Sequence, residues 1–252
     1  MKFPKITIGM PVYNGDQFIK TAIDSVLTQK FSDFELIISN NASTDNTDKI
    51  CKEYKLKDKR IRYLCQKSNR GGVKNYKTVL DAAKGKYFMW LAADDLFQDS
   101  NYLKFVVDKI SPKYDFYFTD VSLINQRGDI IKSNIHEKFK NCKTKFDFLK
   151  QSLYNNSFQL YSLFNKNQLL EDFKYLEKCK NYKSFNEGLF VHVISAKRKA
   201  KYVQKTNLLF RIHKDSWSNK RKIHELIFDH INYSLRTIQL IIKLSDFLFI
   251  QK

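Results

Sequence analysis

Two adjacent carboxylates, Asp94-Asp95, end the apolar run Lys86-Tyr87-Phe88-Met89-Trp90-Leu91-Ala92-Ala93. Neighbouring anions repel each other, so a bound cation is the chemistry that best accounts for the pair. Oxygen donors of this kind suit Mg²⁺ or Mn²⁺, with a substrate phosphate completing the shell. The plain alternative is a solvated Asp-Asp turn ahead of the helix that follows Ser100. The remaining candidate polar residues come in short groups: Pro11-Val12-Tyr13-Asn14, Asn40-Asn41, Asn69-Arg70-Gly71-Gly72, Asn186-Glu187 and Arg211-Ile212-His213. Arg211 and His213 stand two apart on an expected strand, which turns both to one face. His136, His192, His224 and His230 have no spacing that makes a metal site.

The elements that must position these groups alternate. Lys5 to Met10 reads as a strand ending at Pro11, with Asn14-Gly15 as a turn, and Asp16 to Gln29 has apolar residues at helical spacing. Phe34 to Ser39 is a second strand. Ser43 or Thr44 is positioned to cap a helix running to about Tyr54. Ile61 to Leu64 is a third strand, Gly71-Gly72 opens a helix to about Ala83, and the apolar strand before Asp94 follows. This β-α-β-α-β-α-β order predicts an α/β fold with a mostly parallel central sheet. Val12-Tyr13-Asn14, Asn40-Asn41, the 69–72 group and Asp94-Asp95 then share the carboxyl edge of the strands, where open α/β sheets bind ligands.

Beyond that point the rhythm breaks. Tyr114 to Asp120 predicts a strand and Val121 to Ile131, with Gly128, a hairpin. Residues 137–181 read as aromatic-rich helices and loops. Phe185 to Ala196 is helical, and 201–203 and 208–213 look like two strands. Residues 219–250 carry apolar residues at helical spacing with basic residues beside them.

Composition limits the function classes. A chain of 252 residues with 43% hydrophobic content can bury a full core. Four cysteines without metal-ligand spacing are few for this length, and suit reduced thiols in a cytoplasmic protein. The amino terminus lacks the apolar core of a secretory signal, and no apolar run approaches the ~20 residues of a membrane span. The net charge of +19 favours anionic partners, although Lys, Asn, Ile, Phe and Tyr rich together also fit a biased base composition. The lysines are scattered without a recognition-module signature, so nucleic acid is not an expected partner. No glycine-rich phosphate loop follows the first strand, which removes the main support for dinucleotide oxidoreductase and P-loop kinase readings.

The ordered set Ile8-Gly9-Met10-Pro11-Val12-Tyr13-Asn14, Ser39-Asn40-Asn41-Ala42-Ser43-Thr44-Asp45, Asn69-Arg70-Gly71-Gly72 and Ala92-Ala93-Asp94-Asp95 resembles glycosyltransferase family 2, inverting enzymes of the GT-A fold. The match covers residues 5 to 100 and continues more weakly at Asn186-Glu187 and Arg211-Ile212-His213. The resemblance implies a Rossmann-like GT-A domain over 1–216. Its nucleotide-sugar half would be 1–100 and its acceptor-binding half 101–216, with 217–252 a C-terminal amphipathic helical segment. It implies that Asp95 coordinates Mn²⁺ or Mg²⁺ and that His213 adds a metal or phosphate contact. Asp94 would hold ribose or a metal-bound water, Arg211 would lie near the diphosphate, and Glu187 would be the general base.

Pro11, Tyr13, Asn14, Asn40, Asn41 and Arg70 would line the nucleotide site. Asn41 stands where the family usually has a base-contacting aspartate, and its amide offers a donor and an acceptor to the imide edge of uracil or thymine. Ala92 replaces a frequent third aspartate, and Asn186-Glu187 replaces Glu-Asp.

The expected activity is metal-dependent transfer of a hexosyl or N-acetylhexosaminyl group from a UDP-sugar to a hydroxyl of a glycan or lipid-linked glycan. The setting would be capsule, lipooligosaccharide or another surface polysaccharide. A catalytically silent nucleotide-sugar binder and a nucleotidyltransferase are the alternatives. The 217–252 segment would pack on the domain, pair two copies, or rest on the inner face of an anionic membrane.

Overall fold

The computed structural model describes residues 3–154, 158–178 and 187–214. Strands β1 (Ile6–Val12), β2 (Phe34–Asn40), β3 (Ile61–Cys65) and β4 (Tyr87–Trp90) alternate with helices α1 (Ile19–Leu27), α2 (Thr47–Lys57) and α3 (Gly72–Asp81). They pair in parallel in the order β3-β2-β1-β4, as the alternation requires.

The strands are buried on both faces because successive side chains point to opposite sides. Ile6, Ile8, Met10, Leu36, Ile38 and Met89 meet Ile19, Ile23 and Val26 of α1 on one face. Ile37, Phe88 and Trp90 meet Val79 and Leu80 of α3 on the other. Gly9 sits on the α3 side, and a Cβ there would lie 2.7 Å from both Phe88 and Val79. Its missing side chain is what lets that face close. At the opposite edge from the carboxyl ends, buried Glu35 accepts from Thr7 Oγ1 at 2.6 Å, Lys84 N at 2.7 Å and Arg62 Nη1 at 2.9 Å. That network holds β1, β2 and β3 in line.

The second half adds β5 (Leu96–Phe97), α4 (Tyr102–Val107), β6 (Phe116–Ile124), β7 (Ile130–Lys132), α5 (Lys145–Tyr154), β8 (Leu163–Asn165), α6 (Lys166–Lys178), α7 (Glu187–Lys197) and β9 (Ala200–Arg211). The sheet runs on as β4-β8-β6-β9-β5, with β7 paired to β6, giving nine strands among the described residues. β8 is antiparallel to both β4 and β6, which leaves β6 and its partner β9 pointing the same way as β1 to β4. The sheet is therefore mixed beyond β4, and the carboxyl ends of β6 and β9 return to the edge that carries Asp94-Asp95. Among the described residues no helix is long and apolar enough to cross a membrane.

Several sequence expectations need correction. β8 falls inside the 137–181 stretch expected to hold only helices and loops, since three residues are too short for a periodicity to register. The 114–120 strand runs on to Ile124, so the hairpin turn is confined to the residues around Gly128 (φ 99°). The two strands expected near 201–213 are one strand, interrupted where the pairing jumps from Thr119↔Val203 to Asp120↔Asn207. It ends at Arg211, so His213 lies beyond it. Neither Ser43 nor Thr44 caps α2. That helix starts behind Asn46, and Asp45 Oδ1 accepts the Thr47 N–H at 3.0 Å. The expected 217–252 segment lies outside the described residues.

Candidate active site

The acidic pair is placed by a two-residue strand. β5 pairs antiparallel with β9, Leu96 opposite Leu209 and Phe97 opposite Leu208. Continuing that register one step back sets Asp94 and Asp95 against the end of β9. There the Arg211 N–H donates to Asp95 Oδ1 at 2.8 Å. Asp95 is 1% exposed. Asp94 turns the other way: its side chain is 32% exposed, and Oδ2 lies 3.0 Å from His213 Nε2. The two carboxylates that look equivalent in sequence are thus an inner anchor and an outer, accessible group.

Arg211 is buried as well. Its Nε donates to the Asp94 carbonyl at 2.9 Å, and Nη1 donates to the carbonyls of Asn125 and Gln126, each at 3.1 Å. Burial lowers the guanidinium pKa, opposed by the charges of Asp95 and Asp94. The Phe18 ring at the start of α1 lies 4.7 Å from the guanidinium carbon and 4.9 Å from the His213 ring centre. Within the apolar spacing of residues 16–29, Phe18 is one apolar helix position among several. Nothing in its spacing separates that role from this one.

The loops after β1 and β2 clasp each other. Asn14 N donates to Ser43 Oγ at 2.9 Å and Gly15 N to Thr47 Oγ1 at 2.9 Å. Asp16 N donates to Asp45 Oδ2 at 3.0 Å, and Asn14 Oδ1 accepts the Thr44 N–H at 2.8 Å. Asp45 is held below the usual carboxylate range: burial acts against this, and hydrogen bonds from Thr47 and Asp16 outweigh it. Left-handed backbone occurs at Asn14 (φ 51°) and Ala42 (φ 59°), not at Asn40 or Asn41.

Asn40 donates to Tyr63 Oη at 2.8 Å and accepts from Ser43 N at 2.9 Å. Asn41 is buried, with Oδ1 accepting Arg70 N and Nδ2 donating to Asn69 Oδ1, each at 2.9 Å. Its amide therefore ties down the loop ahead of α3. Pro11 is buried in β1, Tyr13 is half-exposed beyond it, and Arg70 is exposed. Glu187 opens α7, while Asn186 lies outside the described residues.

The structure brings Asp94, Asp95, Arg211 and His213 into one cluster. Asn14, Asn40, Asn41 and Arg70 form another along the same edge. Among the described residues no three His, Cys, Asp or Glu side chains form a ready-made cation cage. The accessible carboxylate of Asp94 is a hard oxygen donor of the kind Mg²⁺ or Mn²⁺ takes when phosphate and water oxygens supply the rest, and His213 lies beside it.

This fold, with an acidic pair at the carboxyl edge of a mixed sheet, is that of a GT-A transferase domain. The model described as Glycosyl transferase family 2 matches residues 7–168, more than half the chain, and the chain belongs to that family. An uncharacterized glycosyltransferase of Methanocaldococcus jannaschii is 28% identical over 241 residues, 94% of this chain and 80% of that protein. TuaG of Bacillus subtilis, named for teichuronic acid biosynthesis, is 30% identical over 133 residues, 53% of each chain. The solved structure of S. aureus TarS 1–349 in complex with UDP-GlcNAc superposes with a TM-score of 0.65 at 18% identity, covering 87% of this chain and 62% of that one. Mannosyltransferase PcManGT of Pyrobaculum calidifontis, in complex with GDP-Man and Mn2+, superposes with a TM-score of 0.57 at 16% identity, covering 86% and 59%. The chain thus spans about half of TuaG and under two thirds of both solved chains. At these identities the structures show the shared fold.

Proposed function

We propose that this chain transfers a sugar, with inversion, from a nucleotide-diphospho-sugar to a hydroxyl of a glycan or lipid-linked glycan acceptor during surface polysaccharide synthesis. A UDP-sugar carrying a hexosyl or N-acetylhexosaminyl group is the first candidate. The observation that carries the reading is Asp94, accessible beside His213, on a loop locked from below by Asp95 and Arg211. A divalent ion bound here would neutralise the departing diphosphate. Because Asp94 is the exposed carboxylate, direct contact with that ion falls to Asp94 and His213, and Asp95 anchors the loop. Arg211 has its Nε and Nη1 on protein carbonyls, so it positions the acidic loop.

The clasped loops and the half-exposed Tyr13 would form the nucleotide wall, with Asn14, Asn40 and Asn41 shaping it and Arg70 free to reach the phosphates. Glu187, at the start of α7, would take the proton of the acceptor hydroxyl, the role the family resemblance implies for it. The relatives' names support the surface-glycan setting, and the neighbours' ligands support a nucleotide-sugar donor and a metal. Peripheral contact of 217–252 with the inner face of the cell membrane remains part of the reading.

The test is a panel of UDP-, dTDP- and GDP-sugars with Mn²⁺, Mg²⁺ or chelator, scored for nucleoside diphosphate release. Metal-dependent UDP release is the expected result. Tighter binding of GDP would overturn the uridine assignment. Binding without turnover would indicate a silent binder, and pyrophosphate release a nucleotidyltransferase. Glu187→Gln should keep donor binding and lose transfer.

A further inference from the structure

The large hydrophobic side chains left exposed are not scattered. Among the described residues they are Phe3, Tyr13, Leu56, Val73, Ile130, Ile131 and Ile212. Phe3 and Leu56 belong to the far edge of the sheet, before β1 and at the end of α2. The other five sit on the carboxyl edge, after β1, at the start of α3, on β7 and after β9. Single exposed apolar residues need no explanation, but a group of them on one rim does.

Three of the five form one corner. Ile124 of β6 pairs with Ile130 on one side and with Arg211 on the other, and its carbonyl accepts the Ile212 N–H at 2.8 Å. Adjacent strands lie about 4.8 Å apart, so Ile130 and Ile212 flank Ile124 within about 10 Å. Ile130, Ile131 and Ile212 are 56%, 57% and 38% exposed. Ile131 is the extra residue where the β6–β7 register shifts, and a bulge of this kind leaves it without a partner across the ladder.

The hairpin is also rigid. Asn125 Oδ1 accepts the N–H groups of Arg127 and Asp129, at 2.8 and 3.0 Å, and Arg211 holds the carbonyls of Asn125 and Gln126. On the hairpin itself Arg127 and Lys132 are exposed cations against the single carboxylate Asp129, in a chain of net charge +19, and exposed cations beside apolar side chains suit anionic headgroups.

We propose that the β6–β7 hairpin with Ile212 is a membrane-docking rim. Ile130, Ile131 and Ile212 enter the headgroup boundary of an anionic bilayer, while Arg127 and Lys132 contact the lipid phosphates. Docking this way turns the Asp94 edge toward the membrane surface. The contact does not depend on sugar transfer, so its failure would leave the transferase reading intact, and the reverse also holds.

The test is sedimentation of the full chain with phosphatidylcholine vesicles, with and without phosphatidylglycerol, at low and high salt. The full chain should bind the anionic vesicles and release as salt rises. Ile130→Ser/Ile131→Ser should weaken that binding by about tenfold. Arg127→Gln/Lys132→Gln should weaken binding to the anionic vesicles and lessen its salt dependence. Both variants should keep the wild-type denaturant midpoint, which shows that they are folded. Wild-type binding by the isoleucine variant would move the contact elsewhere on the chain and overturn the proposal. So would failure of the full chain to bind, or a change of oligomeric state in the isoleucine variant with vesicle binding unaltered.

Discussion

Arg211 holds Asp95 through its backbone N–H at 2.8 Å across 116 positions of sequence, while the same residue's guanidinium holds the carbonyl of Asp94. One residue therefore sets both the depth of the inner carboxylate and the direction of the outer one. The acidic loop, the end of β9 and the hairpin turn form a single unit at the carboxyl edge.

The two aspartates should differ when changed. Asp94→Asn is expected to lower turnover by about 10²–10³, the loss typical of a central electrostatic stabiliser. Asp95→Asn keeps an oxygen for the Arg211 N–H and should lose less. Asp95→Ala leaves that donor buried and should cost about 1–3 kcal/mol of stability. Steady-state kinetics and denaturant unfolding of the three variants check this. A larger kinetic loss for Asp95→Asn than for Asp94→Asn would reverse the assignment of inner and outer roles.

Arg211→Lys retains the charge but not the planar fork that spans Asp94 O and the carbonyls of Asn125 and Gln126. It is expected to lower kcat nearly as far as Arg211→Gln does, with little change in KM for the donor. Full rescue by lysine would show that charge alone matters at this position.

Asn41→Asp, which restores the residue usual in the family, should destabilise this chain. A carboxylate there would face Asn69 Oδ1, and Asn69 cannot turn its amide without losing the Gly71 N–H it accepts at 2.9 Å. The expected cost is about 1 kcal/mol, read by denaturant midpoint. Asn41→Asp/Asn69→Asp should be worse than either single change, because two carboxylates would then meet. A more stable Asn41→Asp protein would refute this account of the loop.

His136 predicts a pH dependence of stability. It is buried against Phe118 and Phe139, with Nδ1 2.8 Å from the Thr119 carbonyl, and burial holds its pKa below the usual value. The unfolded chain takes up this proton near pH 6.5 while the folded chain resists it. Stability is then fully present above that pH and declines as pH falls through it. Thermal melts from about pH 7.5 to about pH 5.5 should show falling Tm, and His136→Asn should flatten the slope. An unchanged slope would place the titration elsewhere.

The first half of the fold was readable because its strands and helices carry strong local patterns. An apolar run ending in Asp94-Asp95, and the alternation before it, determine a parallel sheet and the edge where polar groups gather, whatever packs around them. Period and turn chemistry act over a few residues, so they survive in a linear reading.

What the chain alone leaves open is every relationship carried by pairing at long range. The three residues of β8 gain strand character only between β4 and β6. The split of Asp94 and Asp95 into outer and inner groups follows from the β5–β9 register. Asn41 is directed inward by a loop 28 positions away. Phe18 became a neighbour of Arg211 and His213 only when α1 met the end of β9. In each case the deciding contact joins residues whose spacing in sequence holds no signal, because burial and hydrogen-bond partners are settled only when distant strands pair.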